Sequence, residues 1–192
     1  MEQLLLSTKR LQIRNLKTED VDLFLLYRSN PDITKYQGFD VMNHQESTSF
    51  IAEQKDKLFG KPGEWVQYGI EDLSAKSLIG DCAIKLDCND IRLAEIGITV
   101  SHLHQKKGFA KEAMIAILQF LFDIKKVHRV VEIVDAENNA SIHLMKSIGF
   151  RQEGFFIENI FFKGKWGSEI QFAMLKKEWE VLKDPHHSNL KY

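Results

Sequence analysis

The sequence predicts a mixed α/β (α+β) domain built on a central sheet of about seven strands, with element order β-αα-βββ-α-β-α-ββ. Three observations carry this. Segments of period-two hydrophobicity alternate with segments at helical spacing. The first half is rich in strands joined by short polar turns, which favours antiparallel pairing. The centre reads strand, helix, strand, helix, which makes a right-handed crossover with parallel neighbours. The 192 residues form one ordinary domain that needs no disulfide or metal staple. Residues 1–183 are expected to be that domain, and 184–192 a polar tail.

Residues 10–16 alternate apolar and polar, the pattern of a half-buried strand. Thr18-Glu19-Asp20 is a helix N-cap signal, followed by Val21, Leu23, Phe24, Leu26 and Tyr27 at helical spacing. Asn30-Pro31 stops that helix. A second helix is predicted over about 44–59, with Phe50, Ile51 and Leu58 as its apolar contacts. Strands follow over 65–70 and 78–86, joined by a polar hairpin loop. Residues 94–100 carry apolar side chains at every second position and form the cleanest strand. A helix over about 108–125 has one apolar stripe: Ala110, Ala113, Met114, Ile117, Leu118 and Leu121. Residues 130–134 are a β-branched strand, and Asn138 caps a helix that ends at Gly149. Two last strands, 154–162 and 165–176, flank a Lys163-Gly164 turn.

Composition excludes several classes. With 44% hydrophobic and 28% charged residues, three prolines and eleven glycines, the chain is neither collagen-like nor a Pro/Gly-rich disordered segment. Its 26 basic and 27 acidic residues leave a net charge of -1, so no nucleic-acid partner is expected. The two cysteines, Cys82 and Cys88, complete no zinc set. His102 and His104 lack a carboxylate partner at helical spacing, so no metal site is read. Residues 1–6 are too short and too soon followed by Lys9-Arg10 to be a signal peptide, and nothing approaches the ~20 apolar residues of a membrane span. The expectation is a cytoplasmic protein with reduced thiols and no membrane partner.

The chemistry concentrates where the strand ending at Val100 turns through Gln105-Lys106-Lys107-Gly108-Phe109-Ala110 into a helix. Amides at a helix start have no intrahelical acceptor, and the dipole puts partial positive charge there. Gly108 and Ala110 let an anion approach the main chain, and Lys106 and Lys107 add charge. The turn reads as a pyrophosphate cradle or as a solvated basic turn. Neither GxxxxGK[ST] nor GxGxxG is present.

A second segment, Asn138-Asn139-Ala140-Ser141 closing on Gly149-Phe150, follows about thirty residues later. The ordered pair resembles the GCN5-related N-acetyltransferase (GNAT) superfamily, and within it the RimJ/RimL-like branch of ribosomal-protein-alanine acetyltransferases. That superfamily's Gln/Arg-x-x-Gly-x-Gly/Ala loop is matched by Gln105, Gly108 and Ala110. The branch's Glu-Ala is matched by Glu112-Ala113, and its Asn-x-x-Ser by Asn138 and Ser141. An opening Thr-x-Arg-Leu-x-Ile-Arg pattern (Thr8 to Arg14) and a closing Ala-Met-Leu-x-x-x-Glu-Trp pattern (Ala173 to Trp179) extend the resemblance over roughly 7–180. The branch's usual Asp near the last strand is replaced by Ser168, beside Glu169.

The resemblance implies a GNAT fold whose fourth and fifth strands, 94–100 and 130–134, splay apart. It implies acetyl-CoA as cosubstrate and a primary amine as acceptor, in direct attack. The cofactor would be held by Ile98, Thr99, Val100, Gln105, Lys106, Lys107, Gly108, Phe109, Ala110, Asn138 and Ser141. A backbone N–H near Ile98 would polarise the thioester carbonyl. Ser141 would donate toward the departing sulfur, and Glu95, on the polar side of its strand, would accept the amine's proton through water. Glu169 and His143 are weaker candidates for the base. Phe24, Tyr27, Tyr36, Phe155 and Phe161 are either pocket lining or core. The resemblance also implies a homodimer. A non-catalytic acyl-CoA sensor with the same fold is the competing expectation.

Overall fold

The computed structural model describes residues 1–184. One mixed sheet of eight strands runs through it in the order β1-β2-β3-β4-β5-β6-β8-β7. The strands are β1 (Leu5–Ser7), β2 (Leu11–Asn15), β3 (Val66–Asp72), β4 (Ser77–Leu86), β5 (Leu93–Val100), β6 (Arg129–Asp135), β7 (Arg151–Phe162) and β8 (Lys165–Leu175). The helices are α1 (Val21–Arg28), α2 (Pro31–Thr34), α3 (His44–Gln54), α4 (Phe109–Gln119), α5 (Asn139–Ile148) and α6 (Lys176–Lys183). Adjacent strands pair antiparallel except β5 and β6, which are joined by the expected parallel crossover through α4.

Alternation in β4 sends consecutive side chains to opposite layers. Leu78 packs with Leu16, Phe24, Tyr27 and Ile51 under α1 and α3. Ile79 belongs to the larger core with Met114, Ile117, Leu118 and Leu121 from the α4 side. The predicted apolar stripe of α4 is this contact.

Several elements differ from expectation. There are eight strands because the apolar opening contributes β1, paired Leu5↔Arg14 to Ser7↔Gln12 across a turn at Thr8 to Arg10. Pro31 ends α1 but also starts α2, because the Asn30 side chain accepts the Asp32 N–H at 2.9 Å and caps it. The helix over 44–59 stops at Gln54. Phe59 instead packs edge-on against Phe120, centroids 5.0 Å apart. The helix over 108–125 ends its regular part at Gln119 and finishes in a π-turn over Phe120–Ile124. Beyond β8, the charged segment Lys176–Lys183 forms α6, which the sequence reading omitted. It buries only Trp179, stacked near Phe122 and donating from Nε1 to Asp123 at 3.2 Å. Except for Asp184, the expected polar tail lies outside the described residues.

Candidate active site

The site starts with a seam in the sheet. β5 follows β4 without interruption from Ala94 (opposite Leu86) to Val100 (opposite Gly80). A methyl group on Gly80 would meet the Thr99 carbonyl oxygen at 2.3 Å, so only glycine permits this approach. β6 follows β8 just as fully, from Arg129↔Leu175 to Asp135↔Glu169. β5 and β6, however, share only three rungs, Leu93↔Arg129, Ala94↔Val130 and Glu95↔Val131. From Ile96 on one side and Glu132 on the other the ladder is open. The expected splay is present, with no register shift in β5 against β4.

The open end of β5 leads into the basic turn. Lys106 (φ 60°) and Gly108 (φ 79°) are left-handed, an alternation that lets successive N–H groups converge on an anion. Among the described residues, the Lys106, Lys107 and Gly108 amides make no hydrogen bond, and no side chain caps α4. The Gln105 side chain donates to the Val100 carbonyl at 3.1 Å, and Lys107 Nζ to the Leu103 carbonyl at 2.9 Å. Both therefore brace the turn to the chain before it.

A further brace comes from the N-terminal strands. Arg10 donates from Nη1 to the Lys107 carbonyl at 3.0 Å and from Nε to Glu112 at 2.6 Å, and its guanidinium lies 4.5 Å from the Phe109 ring centre. Thr8 Oγ1 donates to the other Glu112 oxygen at 2.6 Å. Burial works against the ionised carboxylate, but the bonds from Thr8 and Arg10 outweigh it and hold Glu112 below the usual range. Thus Thr8, Arg10 and Glu112, legible only as motif positions, are tied together at the turn.

The opposite wall is the start of α5. Asn138 accepts the Ser141 N–H at 3.1 Å, the predicted cap. The Ser141 hydroxyl has no partner among the described residues, so its proton is free for a ligand. A cavity of about 690 Å³ runs between the turn and α5. It is lined by Ile98, Thr99, Val100, Gln105, Lys106, Gly108, Phe109, Ala110, Asn138 and Ser141, every predicted cofactor residue except Lys107. A second cavity of about 290 Å³ opens on the α1/α3 side and shares Tyr36, Gln37, Ile98, Thr99, Asn138 and Ser141 with the first. Open strand edge, free amides and a groove of this size fit a pantetheine diphosphate.

The second cavity is held open by a buried polar network. Asp81, fully buried on β4, accepts from Tyr27 Oη at 2.6 Å, from Arg28 Nε at 3.1 Å and Nη2 at 2.5 Å, and from Gln67 Nε2. Arg28 also donates to Gln37 at 3.0 Å, and Gln37 donates to the Thr99 hydroxyl at 2.7 Å. This chain ties the segment after α2 across the open end of β5. A third cavity, about 570 Å³, continues outward between Tyr36, Val41, Asp135, Phe162 and Glu169.

The acid–base candidates separate clearly. Glu95 stands opposite Lys85 in the β4–β5 register and is ion-paired to it at 2.5 Å; it lines none of these cavities. Glu132, on the first open position of β6, lines the 290 Å³ cavity and is 5% exposed. Burial, reinforced by the charge of Glu95, pushes its carboxyl up to about 8. The sequence reading missed it, although a lone carboxylate inside Val130-Val131-Glu132-Ile133-Val134 was a visible signal.

Of the weaker candidates, His143 lines the 690 Å³ cavity with its ring Nδ1 2.7 Å from the Asn139 carbonyl. Glu169 accepts from Asn159 at 2.6 Å, and Ser168 Oγ accepts the Glu158 N–H at 2.9 Å. Of the aromatics, Phe24 and Tyr27 are core, Phe155 and Phe161 are exposed, and only Tyr36 lines the cavities.

Comparison with known proteins agrees with this geometry. Residues 10–151 match the acetyltransferase (GNAT) domain family. The uncharacterized N-acetyltransferase YnaD of Bacillus subtilis (strain 168) is 31% identical, over 91% of this chain and 98% of that one. A GNAT-family acetyltransferase from Bacillus anthracis superposes with a TM-score of 0.81 at 25% identity, covering 91% of this chain and 99% of that one. The spermidine N-acetyltransferase of Vibrio cholerae, crystallised with CoA and spermine, gives 0.76 at 23% identity, with 90% and 99% covered. The seam, the turn and the family match converge: this chain belongs to the GNAT acetyltransferase family.

Proposed function

We propose that the protein moves an acetyl group from acetyl-CoA to a primary amine by direct attack within one ternary complex. The observation that carries this is the open seam beyond Glu95↔Val131, with free amides at one end and Ser141 at the junction of two cavities. Acetyl-CoA supplies the activated thioester when bound. Ile98 and the Val100 N–H offer strand-edge groups to the pantetheine arm, the Val100 carbonyl being held by Gln105, and the Ile98 N–H polarises the thioester carbonyl. Lys106, Gly108, Phe109 and Ala110 receive the diphosphate on their amides. Ser141 releases its hydroxyl proton toward the departing sulfur and is reprotonated by the reacting amine. Arg28, Gln37 and Thr99 hold the acceptor-side wall, keeping the amine close to the acetyl group.

The acceptor is a small-molecule amine or a protein N-terminus. The likeness to a spermidine acetyltransferase supports the first, and Glu112-Ala113, Asn138-x-x-Ser141 and Gly149-Phe150 support the second through the RimJ/RimL-like branch. A thiol-release assay with acetyl-CoA, run against polyamines, amino sugars and N-terminal peptides, tests the proposal. Release together with an acetylated amine is the expected result. Thermal stabilisation by acetyl-CoA without release for any amine would instead assign a non-catalytic acyl-CoA sensor.

A further inference from the structure

We propose that Glu132 takes the proton from the acceptor's ammonium group, an assignment that rests on the acetyl-transfer reading above. Glu132 is the first β6 residue past the last shared rung, Glu95↔Val131, and so sits at the apex of the seam. Its Oε2 is buried and has no hydrogen-bond partner among the described residues. A buried, unpartnered carboxyl oxygen is costly and calls for an explanation, of which a catalytic role is one. The cavity it lines is also lined by Ser141, Ile98 and Gly97, and a Cβ built on Gly97 would meet none of the described residues within 4 Å. Glu132 and Ser141 thus line one space from two walls.

The surrounding charges are few. From β5, Glu95 acts on Glu132 directly and is itself held by Lys85 of β4. From α1, Arg28 reaches the same cavity but is committed to Asp81. On its own strand Asp135 lies three positions on, at the cavity wall. β8 places apolar Phe172 opposite, and α5 offers neutral Asn138 and Ser141. Burial first, and Glu95 second, therefore raise the carboxyl to about 8, close to an α-amine near 8. Matched affinities make proton transfer efficient. Glu95 is a positioning charge in this scheme.

The step balances. One proton passes from nitrogen to the Glu132 carboxylate, and the freed lone pair forms the N–C bond to the acetyl carbon as the C–S bond breaks. The second nitrogen proton leaves with the sulfur by way of Ser141, and Glu132 returns the first to water.

The test is the pH dependence of kcat/KM, measured with a lysine-type amine, for wild type, Glu132→Gln and Glu95→Gln, with acetyl-CoA binding followed by thermal shift. The wild-type rate should rise through an inflection near 8. Glu132→Gln should lose ~10²–10⁴-fold and the inflection with it, while acetyl-CoA still raises Tm. Glu95→Gln should move the inflection to lower pH, because a like charge is gone; this arm decides if Glu132→Gln fails to fold. An inflection retained in Glu132→Gln, at any rate, or unmoved in Glu95→Gln, would overturn the assignment alone. Absence of thiol release by wild type with every amine would overturn the acetyl-transfer reading and this assignment together.

Discussion

Ser141 and Glu132 divide the chemistry at the smallest scale. Ser141 is fixed by its own N–H, bonded to Asn138, so its hydroxyl points without being used by the fold. Ser141→Ala should therefore lower kcat by about 10²-fold and leave the Kd for acetyl-CoA within about twofold, as stopped-flow and calorimetric titration would show. Equal losses in both would make it a binding residue. Glu132 also predicts a stability signature. Its folded carboxyl keeps a proton that the unfolded chain loses between about pH 4.5 and 8, so stability falls as pH rises through that window. Urea unfolding should show Glu132→Gln gaining on wild type from pH 5 to pH 8, by up to ~4 kcal/mol. An equal difference at both pH values would contradict this. Ser141 and Asn138 were legible because a cap and a first-turn serine form a local pattern. The Lys85–Glu95 pair was not, because only the strand register brings those residues together.

The elements that matter most are the turn and what holds it. Gly108 has a left-handed φ of 79°, and an added Cβ would meet Arg10 Nη2 at 3.4 Å. Gly108→Val should cost roughly 1–2 kcal/mol of strain and weaken acetyl-CoA binding more than it slows the bound complex. Glu112→Ala removes the partner of Thr8 and Arg10. It should raise KM for acetyl-CoA about tenfold and lower kcat less, a split that steady-state kinetics resolves; a fall in kcat alone would deny the brace. Strands and helices with a clear period, such as β5, α4 and α5, were read within a residue or two at most starts. β1 was hidden in an apolar opening of three leucines. α6 was hidden because its face is charged and a single tryptophan anchors it. The early stop of α3 depends on Phe59 meeting Phe120, a contact no local window contains.

Across the whole molecule the seam follows from loyalty to neighbours. β5 stays with β4 and β6 stays with β8, and sheet twist carries the two pairs apart after three shared rungs. The two cores, one under α1 and α3 and one on the α4 side, fix the halves on either side of the gap. The order of elements was readable from hydrophobic period, and the splay only from the resemblance, since no residue in β5 or β6 announces a missing ladder. A ligand that fills the gap binds the folded state alone. At a hundredfold excess over Kd, acetyl-CoA should add about 2.7 kcal/mol, or a rise in Tm of roughly 5–10 °C for a chain of this size. Amide hydrogen exchange at residue resolution, with and without acetyl-CoA, addresses the central claim most directly. Protection should appear at the open edge of residues 96–100 and at the turn, 106–110. Unchanged exchange in both segments, with protection arising elsewhere, would contradict it.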